Sequence, residues 1–215
     1  MNFELFDFID RPQYQEQIGE GAVILRQFAQ IFSIDLLRDL EAIIQFAPFR
    51  HMITPNGFKM SVAMSNCGQF GWISDKKGYR YDSLDPLTGL KWPEIPPSFL
   101  RLAVSAADLA GFSNFNPDAC LINRYETGSK LSLHQDKDEH RLAEPIVSIS
   151  LGIPAVFLFG GLKRTDKTHR YLLEHNDVVV FGGPARLRFH GILPIKQSYH
   201  PLTGAYRINL TFRKT

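Results

Sequence analysis

A chain of 215 residues, 44% hydrophobic and 21% charged, has the composition of an ordinary globular protein and the length of one domain with a substantial core. Seventeen phenylalanines suit a β-rich core with aromatic-lined pockets. The formal charge of +2 lacks the basic excess of a dedicated DNA-binding domain, so charge permits a nucleic-acid partner without arguing for one.

Residues 1–20 carry Glu4, Asp7 and Asp10 among apolar positions, lack the basic start of a secretory leader, and read as an irregular arm. A strand is predicted at "GAVILRQF" (21–28). Ser33 then serves as N-cap for a helix over 34–47, with Leu36, Leu40, Ile43 and Ile44 as its apolar stripe and Pro48 as its stop. "MITPNGFKMSVAM" reads as a hairpin in which Asn56-Gly57 supplies the two residues that tolerate positive φ. Residues 66–97 are rich in Gly, Pro, Tyr and Asp but poor in periodicity, and read as a long surface excursion. A second helix is predicted from Pro97 to Ala110, with Phe99, Leu102, Ala106 and Leu109 on one face and Gly111 just past its end.

From Asp118 to Phe212 the texture changes to short alternating segments: "ACLINRY", "KLSLHQD", "IVSISLG", "AVFLFGG", "RYLLEH", "DVVVFGG", "RLRFHGI" and "AYRINLTF". Strands at this spacing indicate a sandwich, jelly roll or barrel. The expected fold is therefore α+β, mainly β, in a single domain over 1–215. Residues 118–213 carry its β core, and the first half adds helices and a lid of about 48–97. Cys67 and Cys120 lie far apart and form no CxxC pair, which points to a reducing cytoplasm, and no apolar run is long enough to span a membrane.

The chemistry concentrates in "LSLHQDKDEH". On a strand, residues i and i+2 face the same way, so His134 and Asp136 can reach one point in space. Alone, such a pair is a common feature of charged strand ends. A third ligand comes from His190 in "RLRFHGI", again at a strand end. Two His and one carboxylate with open positions match the facial triad of non-haem Fe(II) oxygenases, with zinc as the competing metal. The other histidines are set aside: His140, His169 and His175 as solvated turn residues, His51 and His200 as having no partner at ligand spacing. In the last strand, Arg207, Asn209, Thr211 and Arg213 share one face, opposite Tyr206, Ile208, Leu210 and Phe212. The plain reading is a half-buried strand with a polar solvent face. The alternative is a pair of guanidiniums clamping a dicarboxylate, with Asn123 and Tyr125 of "ACLINRY" as further hydrogen-bonding groups, an arrangement consistent with 2-oxoglutarate.

Taken in order, "LINRY", "LHQDKDE", "SLG", "FGGLKR", "FHGI" and "RINLTFR" resemble the AlkB family of Fe(II)- and 2-oxoglutarate-dependent nucleic-acid dealkylases, in particular its bacterial DNA-repair dioxygenases. "GAVILR", "TPNGFKMSVAM", "NCG", "GW" and "KWP" extend the likeness through nearly the whole chain after residue 20. The resemblance implies a double-stranded β-helix (jelly-roll) core with Fe(II) on His134, Asp136 and His190. It implies 2-oxoglutarate on Asn123, Tyr125, Arg207, Asn209 and Arg213. Arg207 with Asn123 and Tyr125 would meet the distal carboxylate; Arg213 and Asn209 would attend the end that chelates iron. Ile208 departs from the family's aromatic residue at that position, on the opposite face, where only packing is affected. The implied reaction uses O₂ to oxidise an N-methyl group, releasing formaldehyde while 2-oxoglutarate becomes succinate and CO₂.

On the substrate side the resemblance implies an extruded cationic base of the 1-methyladenine or 3-methylcytosine type. Asp138 is placed to favour its charge, Trp72 and the His134 ring to stack on it, and Met64 to line the pocket. Tyr79, Lys130, Lys137 and Arg164 are candidate phosphate contacts, with Lys76, Lys77 and Arg80 as a looser basic group. The implied partner is alkylated single-stranded DNA, with double-stranded DNA or RNA as further candidates, bound by a monomer in the cytoplasm. The rivals are an RNA demethylase or protein hydroxylase of the same oxygenase class, or a non-catalytic cupin-like binding module.

Overall fold

The computed structural model describes residues 12–215, and the fold it shows is three-layered: helices, a large antiparallel sheet, and a smaller sheet facing it. The large sheet has eight strands in the order β1 (Tyr14–Gly19), β2 (Ala22–Arg26), β12 (Val178–Phe181), β9 (Ile146–Gly152), β14 (Arg207–Arg213), β7 (Ala119–Tyr125), β4 (Lys59–Gly68), β3 (Arg50–Ile53). The small sheet has four: β11 (His169–Leu173), β10 (Ala155–Phe159), β13 (His190–Ile192) and β8 (Leu131–His134). Together they make the expected jelly roll. A separate two-stranded ribbon, β5 (Gly71–Asp75) with β6 (Gly78–Asp82), lies beside it.

Strand alternation divides the core in two. On β14, Ile208, Leu210 and Phe212 face helices α1 (Ser33–Phe46) and α2 (Pro97–Leu109), packing with Leu36, Leu40, Ile43, Phe99 and Leu102. The other face of the sheet meets the small sheet through Ile24, Ile146, Val179, Phe157, Phe159 and Ile192. Between the sheets, this second core gives way to the polar face of β14.

Several expectations need correction. Residues 1–11 of the expected arm lie outside the described residues, and 14–19 form β1 rather than an irregular segment. Arg26 holds that edge strand, bridging Glu16 and buried Asp177 at 2.6 Å. Ser33 is not an N-cap: a 3-10 turn at Gln30–Phe32 already supplies helical backbone, and the Ser33 hydroxyl donates back to Gln30 O. Only Gly57 of Asn56-Gly57 takes positive φ, in a wider turn closed by Thr54 and Phe58. Leu109 ends α2 exposed, because its buried face runs through Phe99, Leu102, Ala103, Ala106 and Ala107. The excursion over 66–97 contains the end of β4 and the β5–β6 ribbon. The strand expected at 186–192 shortens to His190–Ile192, since a 3-10 turn at Gly183–Ala185 carries the chain into it. Cys67 and Cys120, far apart in sequence, oppose each other across β4 and β7 as buried free thiols.

Candidate active site

β8 and β13 pair so that His134 stands directly opposite His190. The glycine after His190 permits this: a Cβ on Gly191 would lie 2.7 Å from Leu131 O, so the two strands could not approach with any side chain there. Asp136 follows two residues beyond β8. Ligand-type atoms of His134, Asp136 and His190 all lie within 4.8 Å of one another, with the imidazole rings 4.4 Å apart. Both Nδ1 atoms are committed to backbone, His134 to Ser132 O and His190 to Arg188 O, so both Nε2 atoms turn toward Asp136. Burial, followed by the charge of His134, pushes His190 down to about 4 and keeps it a neutral donor. Burial would raise the Asp136 carboxyl, but the Arg213 guanidinium, the bond from His134 and the charges of both histidines together outweigh it and hold the group ionised, well below the usual range. Burial would lower His134, but its bond to Asp136 and that carboxylate's charge outweigh burial and raise the ring above its ordinary value, so a divalent iron, which takes neutral imidazoles with an ionised carboxylate, would displace a proton there.

Beyond the triad, the polar face of β14 lies in the same cavity. Arg207 is fully buried, and among the described residues its Nε and Nη1 find no hydrogen-bond acceptor; Asn123 Oδ1 on the neighbouring strand is likewise unpartnered there. The ring of Tyr125 sits 5.6 Å from the guanidinium carbon, and burial lifts its phenol to about 12, so it remains a donor. Burial lowers Arg207 from its ordinary value. A buried guanidinium with open donors is costly unless an anion meets it, and a carboxylate fits that fork bidentately. Asn209 is braced by protein: its Nδ2 donates to Ser148 Oγ and Ile149 O, and its Oδ1 accepts from Thr211 and Asn123. These residues fit a dicarboxylate whose far end lies at Arg207.

At the mouth, the Trp72 indole N–H donates to Asp138 Oδ2 at 2.9 Å, and Tyr79 stacks on Trp72 at 5.6 Å between centroids. Asn66 grips the Trp72 backbone with two bonds of 3.0 Å. All fifteen residues named from sequence for metal, 2-oxoglutarate and substrate line one cavity of about 750 Å³, within the range of small-molecule sites. Met64 belongs at once to this wall and to the core. Lys130, Lys137 and Arg164 lie at its rim, and Arg164 donates to Leu133 O.

The looser basic group is not part of this site. Arg80 is taken by Asp75 through two bonds, and Lys76 and Lys77 lie exposed at the ribbon's turn, off the cavity wall. His175 is not solvated: it accepts Gly152 N–H and packs 4.2 Å from His200. Sequence reasoning missed Tyr81, Glu139 and Arg186. Glu139 accepts from Tyr81 Oη at 2.5 Å and from Arg186 at 3.0 Å, and pairs with Arg213 at 3.1 Å. The alternation of "GYRY" would have placed Tyr81 on the face of Tyr79, but nothing local reveals that Glu139 is buried.

A model of the 2OG-Fe(II) oxygenase superfamily matches residues 21–213. The chain is 55% identical over 207 residues to the alpha-ketoglutarate-dependent dioxygenase AlkB of Salmonella typhimurium, covering 96% of each chain. It is 56% identical over 207 residues to that of Escherichia coli K12, again covering 96% of each. The solved structure of OsALKBH1 superposes with a TM-score of 0.82 at 31% identity, covering 94% of this chain and all of that one. A triad of two His and one Asp, a buried arginine awaiting a carboxylate and these likenesses agree: the chain belongs to the 2OG-Fe(II) oxygenase superfamily as an AlkB-type dioxygenase using Fe(II), 2-oxoglutarate and O₂.

Proposed function

We propose that this dioxygenase removes N-alkyl groups from damaged bases of the 1-methyladenine and 3-methylcytosine type in DNA, preferring single strands. The observation that carries the reading is the continuity of one cavity, with the triad at its depth and an aromatic ring beside an anionic carboxylate at its mouth. Fe(II), with 2-oxoglutarate and O₂, supplies the oxidation of the alkyl carbon. The protein's share is to bind, orient and exclude water.

In this reading His134, Asp136 and His190 hold the metal, while Arg207, Asn123 and Tyr125 take the far carboxylate and Arg213 and Asn209 serve the end at iron. Trp72 supports one face of the extruded base and the His134 ring the other; such stacking contributes ~1–3 kcal/mol per base. Asp138 accepts from the base's exocyclic amine and favours its positive charge. Met64 closes the wall, and Tyr79, Lys130, Lys137 and Arg164 meet the phosphates. Residues 48–97 act as the nucleotide lid over the jelly roll of 118–213. The protein acts as a monomer in the cytoplasm.

The test is mass spectrometry of a single-stranded oligonucleotide bearing one 1-methyladenine, incubated with protein, Fe(II), ascorbate and 2-oxoglutarate. Loss of the methyl group, dependent on 2-oxoglutarate, is expected. An unchanged DNA with demethylation of the matched RNA moves the substrate to RNA; succinate without either product overturns the nucleic-acid reading.

A further inference from the structure

Tyr81, Glu139 and Arg186 touch neither the metal ligands' donor atoms nor the cavity's far end, yet they form a closely bonded cluster, half-buried at Tyr81 and buried at the other two. Glu139 is 5% exposed and Arg186 3%. Tyr81 donates its hydroxyl to Glu139 Oε1, and burial, before any neighbouring charge, keeps the phenol protonated. The same Oε1 faces Arg213 Nε at 3.1 Å; Oε2 accepts from Arg186 Nη2. Arg186 Nη1 then donates to the backbone O of Asp136 at 2.5 Å, and its Nε to Glu144 O. Arg213 closes the circuit, placing Nη2 2.7 Å and Nε 3.2 Å from Asp136 Oδ2. Asp136 is therefore held at both backbone and side chain by two guanidiniums, and Glu139 holds both guanidiniums.

Buried charges persist only when paired, and a network with all members satisfied becomes rigid. Without Glu139, Arg213 would retain Asp136 alone and could swing about it. Without the Tyr81 hydroxyl, Glu139 would lose its only bond from the ribbon. Tyr81 lies on β6, the strand that pairs with Trp72 of β5.

Resting on the dioxygenase reading above, we propose that Tyr81 and Glu139 are positioning residues. They brace Arg213 against Asp136, so that the guanidinium is presented to the iron-proximal end of 2-oxoglutarate and the seating of the ribbon is tied to that site. Neither residue touches the co-substrate. Their effect passes through Arg213, and the two act in series.

Calorimetric titration of 2-oxoglutarate into full-length protein loaded with Mn(II), which binds without turnover, tests this. Tyr81→Phe and Glu139→Gln each weaken binding by roughly tenfold, the scale of one hydrogen bond to a charged group. Because they act in series, the double variant binds no worse than the weaker single variant. Tyr81→Phe deletes one oxygen and keeps the ring, so folding is preserved. Wild-type affinity in Tyr81→Phe overturns the proposal, as does a double variant whose loss is the product of the single losses, the sign of independent loosening. A wild-type protein that takes up Mn(II) but no 2-oxoglutarate overturns the dioxygenase reading itself, a result visible before any variant is made.

Discussion

Arg207 shows how a single residue can reveal a ligand. Its guanidinium is buried to 1% exposure with two donors unmatched, a condition a folded chain tolerates only for a purpose outside its own stability. Replacing a buried, unpaired charge with an apolar side chain of similar length is neutral or stabilising. Arg207→Met should leave the melting temperature of ligand-free protein unchanged or raise it by a few degrees. The same change should weaken 2-oxoglutarate binding by about a hundredfold or more, the loss of two charge-assisted bonds. Thermal melts with and without 2-oxoglutarate check both signs; a sharp fall in the ligand-free melt would mean that the guanidinium serves the fold. The facing of Arg207 was legible in sequence because β14 alternates strictly, apolar toward the helices and polar toward the cavity. Glu139 was not, although it lies in the same run as His134 and Asp136. A buried carboxylate is explained only by its partners, and Arg186 and Arg213 arrive from 47 positions and more along the chain.

At the scale of elements, strands buried on at least one face were readable, and the ribbon was not. β6 is half-exposed, and β5, though largely buried, sets polar Ser74 beside Trp72 on one side, with Tyr79 and Tyr81 facing them and Arg80 between, so no two-residue hydrophobic rhythm announces them. β1 was missed for a related reason: as an edge strand with polar exposed positions, it depends on Arg26 reaching Glu16 and Asp177, a tertiary bond. The ribbon's anchorage is equally tertiary. The Trp92 ring packs so closely on Gly71 that a Cβ there would fall 2.4 Å from it, and buried Asn66 reads the Trp72 backbone through both amide atoms. Asn66→Ala therefore strands a buried N–H and C=O of the ribbon, costing ~2 kcal/mol locally. Affinity for a methylated oligonucleotide should fall about tenfold, and amide exchange over 71–82 should accelerate. Binding of 2-oxoglutarate to the Mn(II) form should fall less than that, since Asn66 lines no part of the cavity and reaches the co-substrate's end only through the ribbon's Tyr81 bond to Glu139. Equal loss of both ligands would show that Asn66 supports the whole sheet.

For the whole molecule, one sheet serves two ends: its helix-facing side is dry core, while the cavity side stores charge. That division has a consequence for acid stability. His175, at the turn before β12, accepts Gly152 N–H beside the start of β14, and burial, then the facing His200, pushes it down to about 3 from 6.5. His190 is pushed down to about 4. Both rings are neutral in the fold and gain protons more readily when the chain unfolds. The stability they lend is present in full above the unfolded value of 6.5 and is lost as pH falls toward the folded values. Each such ring should cost about 1.4 kcal/mol per pH unit across that window, or roughly 3–5 °C of melting temperature in a chain of this size. His175→Gln removes the proton acceptor far from the metal ligands. Its melting temperature should fall less steeply than the wild type's between pH 6.5 and 4, by about that amount per unit, in metal-free protein. Parallel curves would mean that His175 takes its proton without unfolding, and that the corner behind Arg207 opens to water on its own.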